Sequence, residues 1–148
     1  MRIIRFTLIF IVSCWMNTTS AQVTKVPPTA KENFIRQYPA ATDAVWYNDI
    51  VEVNVRFELD GKKMSALYSN KGIWKNTLQD ATYEQLPAAI IDGFNKSKYV
   101  ERSVTETKIA FYPGNVTLYR IKAEKNDIEK KYLFFNEKGR LVRDALTL

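Results

Sequence analysis

Few kinds of side chain in this sequence could do chemistry. The 148-residue chain carries 16 aspartates and glutamates, a single cysteine and no histidine. Without imidazole there is no histidine-based triad and no Cys/His zinc site. Carboxylates remain, and a pair of them could serve as general acid and base at a glycosidic bond. Glu52 and Glu58 share the polar face of one predicted strand. Six residues at a rise of about 3.3 Å put them roughly 20 Å apart, beyond the span such a pair uses. Asp43, Asp49, Asp60, Asp80 and Asp92 stand at predicted turns or helix ends, where aspartate is common for backbone reasons alone. Asp43 and Asn126-Asp127 stand alone, and no loop alternates acids as a calcium loop must. A carboxylate-dependent hydrolase is the weakest reading, and no catalytic residue, cofactor or metal ligand is expected.

Aromatic side chains are the richer resource: three Trp, eight Tyr and eight Phe. Trp46-Tyr47, Phe111-Tyr112 and Phe134-Phe135 are adjacent pairs in predicted strands, so each pair must send one ring to either face. Either two halves of the molecule pack on one another and bury both faces, or some of these rings are displayed as interface anchors. The candidate partner-binding residues are Trp46 or Tyr47, Arg56 on the polar face of its strand, Trp74 beside a turn, and Tyr112 at a hairpin.

Residues 1–21 read as a signal peptide. Arg2 and Arg5 precede an apolar run over residues 6–12, and Thr19 and Ala21 are the small residues that permit cleavage after Ala21. The run falls short of the roughly 20 apolar residues that cross a bilayer. Ile11-Val12-Ser13-Cys14 also resembles a lipoprotein box, which leaves lipidation of Cys14 as the alternative. Cleavage after Ala21 leaves a domain, residues 22–148, that has no cysteine for disulfides or thiol chemistry yet is long enough to bury one core. The formal charge of +6 falls to +4 without Arg2 and Arg5. Lysines and acids are interspersed, with no arginine stripe alternating with aromatics, so nucleic acid is not an expected partner, and a membrane is one only if Cys14 is lipidated.

Within the domain, Pro28 opens and Pro39 closes a short helix over residues 29–38, with Ala30, Phe34, Ile35 and Tyr38 on one stripe. The pattern then changes to period two: strands at 45–47, 51–59, 63–68 and 73–78. Residues 51–59 alternate without exception, and Asp60-Gly61 is a type I′ hairpin signal. A second helix over 86–94 precedes strands at 104–111, 116–123, 128–135 and 140–145. Lys71-Gly72 and Lys138-Gly139 stand 67 residues apart while the helices are offset by about 60, which suggests a duplication with repeats at about 27–81 and 82–148. The inserted length is placed at Tyr112-Pro113-Gly114-Asn115, a type II turn signal.

The helix ending Phe34 to Pro39, the Trp46-Tyr47 strand, the Asp60-Gly61 hairpin and Asn70-Lys71-Gly72-Ile73-Trp74 together resemble the PepSY-like, β-lactamase-inhibitor-like family of exported Bacteroidetes proteins. The resemblance implies an α+β fold of two tandem repeats, each a short helical segment on a four-stranded antiparallel sheet. It implies binding through a concave sheet face and hairpin tips, but it carries over no binding residue. The expected function is an exported, non-catalytic binding protein, an inhibitor or modulator of another exported or surface protein. The alternative is a domain that binds a small molecule or peptide.

Overall fold

The computed structural model describes residues 25–147. The signal peptide and Cys14 lie outside the described residues. Eight strands form one antiparallel sheet in the order of the chain: β1 (Thr42–Asn48), β2 (Glu52–Leu59), β3 (Lys62–Ser69), β4 (Trp74–Ala81), β5 (Ser103–Tyr112), β6 (Val116–Glu124), β7 (Lys130–Asn136) and β8 (Leu141–Leu146). The expected pair of four-stranded sheets is therefore corrected to a single sheet, because β4 pairs with β5 from Thr77↔Phe111 to Ala81↔Thr107. The halves lie side by side, so they do not stack and bury both faces.

Helix α1 (Pro28–Gln37) precedes β1, and α2 (Ala88–Asn95) lies between β4 and β5. Pro28 fits the first turn of α1, where its missing N–H costs nothing, and Tyr38 before Pro39 leaves the helical region. The start of the second helical segment differs from the expected 86. Residues Tyr83–Gln85 form a separate 3-10 turn, in which the Thr82 backbone N–H donates to Gln85 Oε1 at 3.0 Å, and Pro87 caps α2.

Both helices pack on the same face. Ala30 and Phe34 of α1 meet Val53, Val55 and Phe57 of β2 and Met64, Ala66 and Tyr68 of β3. The Phe34 ring lies 5.4 Å from Trp46 and 5.0 Å from Phe57, both edge-on, the preferred arrangement for aromatic pairs. Ile90 and Phe94 of α2 meet Ile121, Ala123, Leu133 and Phe135 in a second cluster. The alternation in β2 that the sequence displays is the one the fold uses, since Val53, Val55 and Phe57 all face α1.

The halves also correspond in detail. The β3–β4 turn abuts α1 so closely that a side chain on Gly72 would overlap Thr29, and a side chain on Gly139 in the β7–β8 turn would overlap the Ala89 carbonyl of α2. After each helix a tyrosine ties back to the last strand of its half. Tyr38 Oη bonds Thr77 Oγ1 at 2.6 Å, and Tyr99 Oη donates to Asp144 Oδ2 at 2.6 Å. A ladder irregularity falls between Leu67 and Tyr68 in one half and between Phe134 and Phe135 in the other. The extra length of the second half is not concentrated at the Tyr112 hairpin as expected. It is divided among longer strands, 10 and 9 residues in β5 and β6 against 7 and 8 in β1 and β2, a longer helix-to-strand connection, residues 96–102 against 38–41, and a longer β6–β7 connection, residues 125–129 against Asp60-Gly61. In the Tyr112 hairpin Gly114 takes the positive φ that the second central position of the expected type II turn needs, and Asp60 and Gly61 both take the positive φ of the expected type I′ turn.

Candidate functional site

Strand alternation assigns the other face of the sheet. Among the described residues neither helix covers it, and its side chains fall into rows across the strands. One row runs Val45, Arg56, Ser65, Leu78 in the first half and Ala110, Leu118, Asn136 in the second. The next runs Asp80, Lys108, Arg120, Phe134, Arg143. Glu106, Lys122 and Tyr132 follow, then Glu124 and Lys130.

The charges on this face are interlocked. Lys108 Nζ donates to Asp80 Oδ1 at 2.8 Å and lies 3.8 Å from Glu106, which also accepts from Arg120 Nη2 at 2.7 Å. Lys122 and Glu124 are 3.0 Å apart, with Lys130 3.5 Å from Glu124. The bond to Glu124 raises the Lys122 pKa, and the same bond, with one from Thr105, lowers that of Glu124. Glu124 is thereby held in its anionic form by the cations beside it. Among the described residues no three His, Cys, Asp or Glu side chains gather where a metal ion could sit.

Three arginines on this face lie over aromatic rings. The guanidinium carbon of Arg56 is 4.7 Å from the Tyr47 ring centroid, that of Arg120 is 4.4 Å from Tyr132, and that of Arg143 is 3.9 Å from Phe134. Stacking uses the flat face of a guanidinium and leaves its edge N–H groups aimed outward. Arg143 makes no ion pair among the described residues, and Arg120 Nε is buried without a hydrogen-bond partner there. Phe134 is only 6% exposed although it stands on the uncovered face, because Arg143 roofs it.

Of the sequence candidates, Tyr47 (47% exposed) and Arg56 meet on this face, and Tyr112 lies on it by alternation with Phe111. Trp46 and Trp74 do not join them. Both pack on the first core, where Trp74 Nε1 donates to Thr77 Oγ1 at 2.9 Å. Trp46 thus faces the first core and Tyr47 the uncovered side. Sequence reasoning missed Arg120, Tyr132, Phe134 and Arg143 as a group. The parity of Phe134 and Phe135 was a signal, but the arginines arrive from neighbouring strands and become visible only with the register.

A shallow cavity of about 370 Å³ opens between Arg56, Glu58, Lys63, Ser65, Asp80 and Lys108, at the boundary between the halves.

No family model matches the sequence, and no curated protein is recognisably similar to it. Solved structures are. A BLIP-like protein from Bacteroides fragilis superposes with a TM-score of 0.74 at 23% identity, over 84% of this chain and 89% of that one. A DUF2874 family protein from Bacteroides ovatus gives 0.73 at 22% identity, over 82% and 89%. A Bacteroides eggerthii protein provisionally described as periplasmic gives 0.71 at 21% identity, over 82% and 89%. The chain therefore has the α+β fold of these Bacteroides proteins, one of them BLIP-like, and at such identities the likeness is one of fold.

Proposed function

We propose that this chain is an exported, non-catalytic binding protein that grips an exported or surface protein with the uncovered face of its sheet, as an inhibitor or modulator of that partner. The carrying observation is the set of three arginines stacked on Tyr47, Tyr132 and Phe134 of one face. Arginine and aromatic residues dominate interface energetics, and a stacked guanidinium loses little further freedom when a carboxylate docks on its edge. The partner thus presents acidic side chains. The candidate anchors are Tyr47, Arg56, Tyr112 and Arg143, with Trp46 and Trp74 in supporting positions beneath them.

Export is supported by the signal-like residues 1–21, and the provisional periplasmic description of the Bacteroides eggerthii relative agrees with it. The BLIP-like relative favours the β-lactamase-inhibitor-like side of the PepSY-like resemblance. The paired turn–helix contacts and tyrosine ties favour an origin by duplication, with repeats near 27–81 and 82–148. Capture from an envelope extract tests the binding surface. Proteins recovered by the wild type should be lost with Arg56→Ala plus Arg143→Ala and retained with Ile35→Ala, which lies on the exposed side of α1. Equal recovery by all three would remove the uncovered face from the proposal.

A second reading, a small molecule or peptide, rests on the cavity where Arg56, Lys63 and Lys108 mingle with Asp43, Glu58 and Asp80. Binding to the folded state alone raises the melting temperature, so a thermal-shift screen of peptides and envelope glycans separates it from the first.

A further inference from the structure

The antiparallel meander sends four turns to one end of the sheet: residues 49–51, 70–73, 113–115 and 137–140. Turns are normally built from Gly, Pro, Asn, Asp and Ser. Here the first two carry branched aliphatic side chains in water, with Ile50 83% exposed, Val51 72% and Ile73 62%. They form one patch. Glu52 pairs with Ser69 across the ladder, and Asn70 Nδ2 donates to the Ile50 carbonyl, fastening one tip to the other.

The chain enters the fold at the same place. Thr29 Oγ1 donates to the Lys71 carbonyl and Asn33 Nδ2 to that of Gly72 at 2.7 Å, so the first turns of α1 sit on the β3–β4 turn. Ten residues separate Cys14 from Lys25, a reach on the order of 35 Å when extended. Three cations of these turns, Lys71, Lys138 and Arg140, have no ion pair among the described residues and outnumber the two acids there, Asp49 and Glu137. At the opposite end Ile128, 93% exposed, stands between Asp127 and Glu129, and Leu146, 71% exposed, ends β8 beside Lys131.

We propose that this end of the molecule rests on a lipid surface. Ile50, Val51 and Ile73 enter the headgroup region, and Lys71, Lys138 and Arg140 face anionic headgroups. An apolar tip with flanking cations is what interfacial attachment uses, and weak attachments of this kind act in combination. Lipidation at Cys14 would supply the second attachment at the same end. The contact is end-on, so the uncovered sheet face stays free, and the inference does not depend on the binding proposed for that face.

The test uses the chain from Gln22, which has no natural cysteine. An environment-sensitive dye is placed at Val51→Cys or, as the control at the opposite end, at Ile128→Cys. Each protein is mixed with vesicles of equal parts phosphatidylcholine and phosphatidylglycerol. The dye at position 51 should shift to the blue and the dye at 128 should not. Ile50→Asp with Ile73→Asp should weaken vesicle partitioning about tenfold or more while leaving the melting temperature unchanged, since both side chains are already exposed. No shift at 51, an equal shift at both sites, or partitioning indifferent to the aspartates would overturn the proposal. A shift at 51 with an envelope protein fraction but not with vesicles would also overturn it, assigning the tip to a protein partner.

Discussion

Arg143 on Phe134 is a contact with two uses. It covers a ring that would otherwise meet water, and it orients a guanidinium with no carboxylate of its own. Replacing it with alanine should cost about 0.5–1 kcal/mol in stability, the scale of an exposed cation–π contact. On the binding role proposed above, the larger effect should fall on capture of the partner, and comparing denaturation with pull-down separates the two. Asp144 has a different signature. Hydrogen bonds from Lys131 and then Tyr99 lower its pKa from 3.8 to about 2. A carboxyl depressed in the folded state stabilises the fold above its unfolded value and stops doing so as pH falls through the folded one. Wild-type stability should therefore decline between about pH 4 and pH 2, and Asp144→Asn should flatten that part of a melting-temperature profile. The sequence made parts of the residue scale readable: strand parity placed Phe134 and Phe135 on opposite faces. It could not pair Phe134 with Arg143, nor Tyr99 with Asp144 45 residues away, because those depend on register and on where a helix returns.

At the scale of elements, Ala30, Phe34 and Tyr38 of the helix stripe, the unbroken alternation of β2 and the Asp60-Gly61 turn were readable because each is a local pattern with a local cause. Ile35, expected on the same buried stripe, is 65% exposed because its i+5 spacing from Ala30 carries it past the packed edge. The misreadings occur where a local signal is interrupted. β1 begins at Thr42, but a register shift between Thr42 and Val45, with Asp43 at φ 53°, hides its alternation and leaves only the Val45-Trp46-Tyr47 stretch in view. Trp74 looks exposed from its place beside a turn, yet the irregularity between Leu67 and Tyr68 turns it to the helix side. The turn–helix contacts give a clear test. Gly61 and Gly139 both have positive φ, but a methyl on Gly61 meets open space whereas one on Gly139 overlaps the Ala89 carbonyl. Gly61→Ala should cost about 1 kcal/mol, the left-handed penalty alone. Gly139→Ala should cost about 3 kcal/mol, because the turn must also back away from α2. Urea denaturation of the two variants distinguishes them.

For the whole molecule, the single sheet was the least readable feature, since the β4–β5 pairing spans residues 82–102 and leaves no local trace. It joins two aromatic-rich cores that share no buried residue. Both tryptophans of the described chain, Trp46 and Trp74, report on the first core only. Phe94→Ala, in the second core, should cost about 3–5 kcal/mol. If the shared sheet makes the molecule one cooperative unit, tryptophan fluorescence and circular dichroism will lose stability together. A fluorescence transition left at its wild-type midpoint would mean that the halves unfold separately. The order of the strands also has a consequence in time. Each strand pairs with its neighbour in sequence, so six of the seven pairings close short loops, and only β4–β5 must wait for an intervening helix. Local pairings cost little chain entropy and form early. A chain that reaches its compartment N-terminus first can thus build β1 to β4 on α1 before its second half has arrived, and the joining of β4 to β5 becomes the slow step of folding.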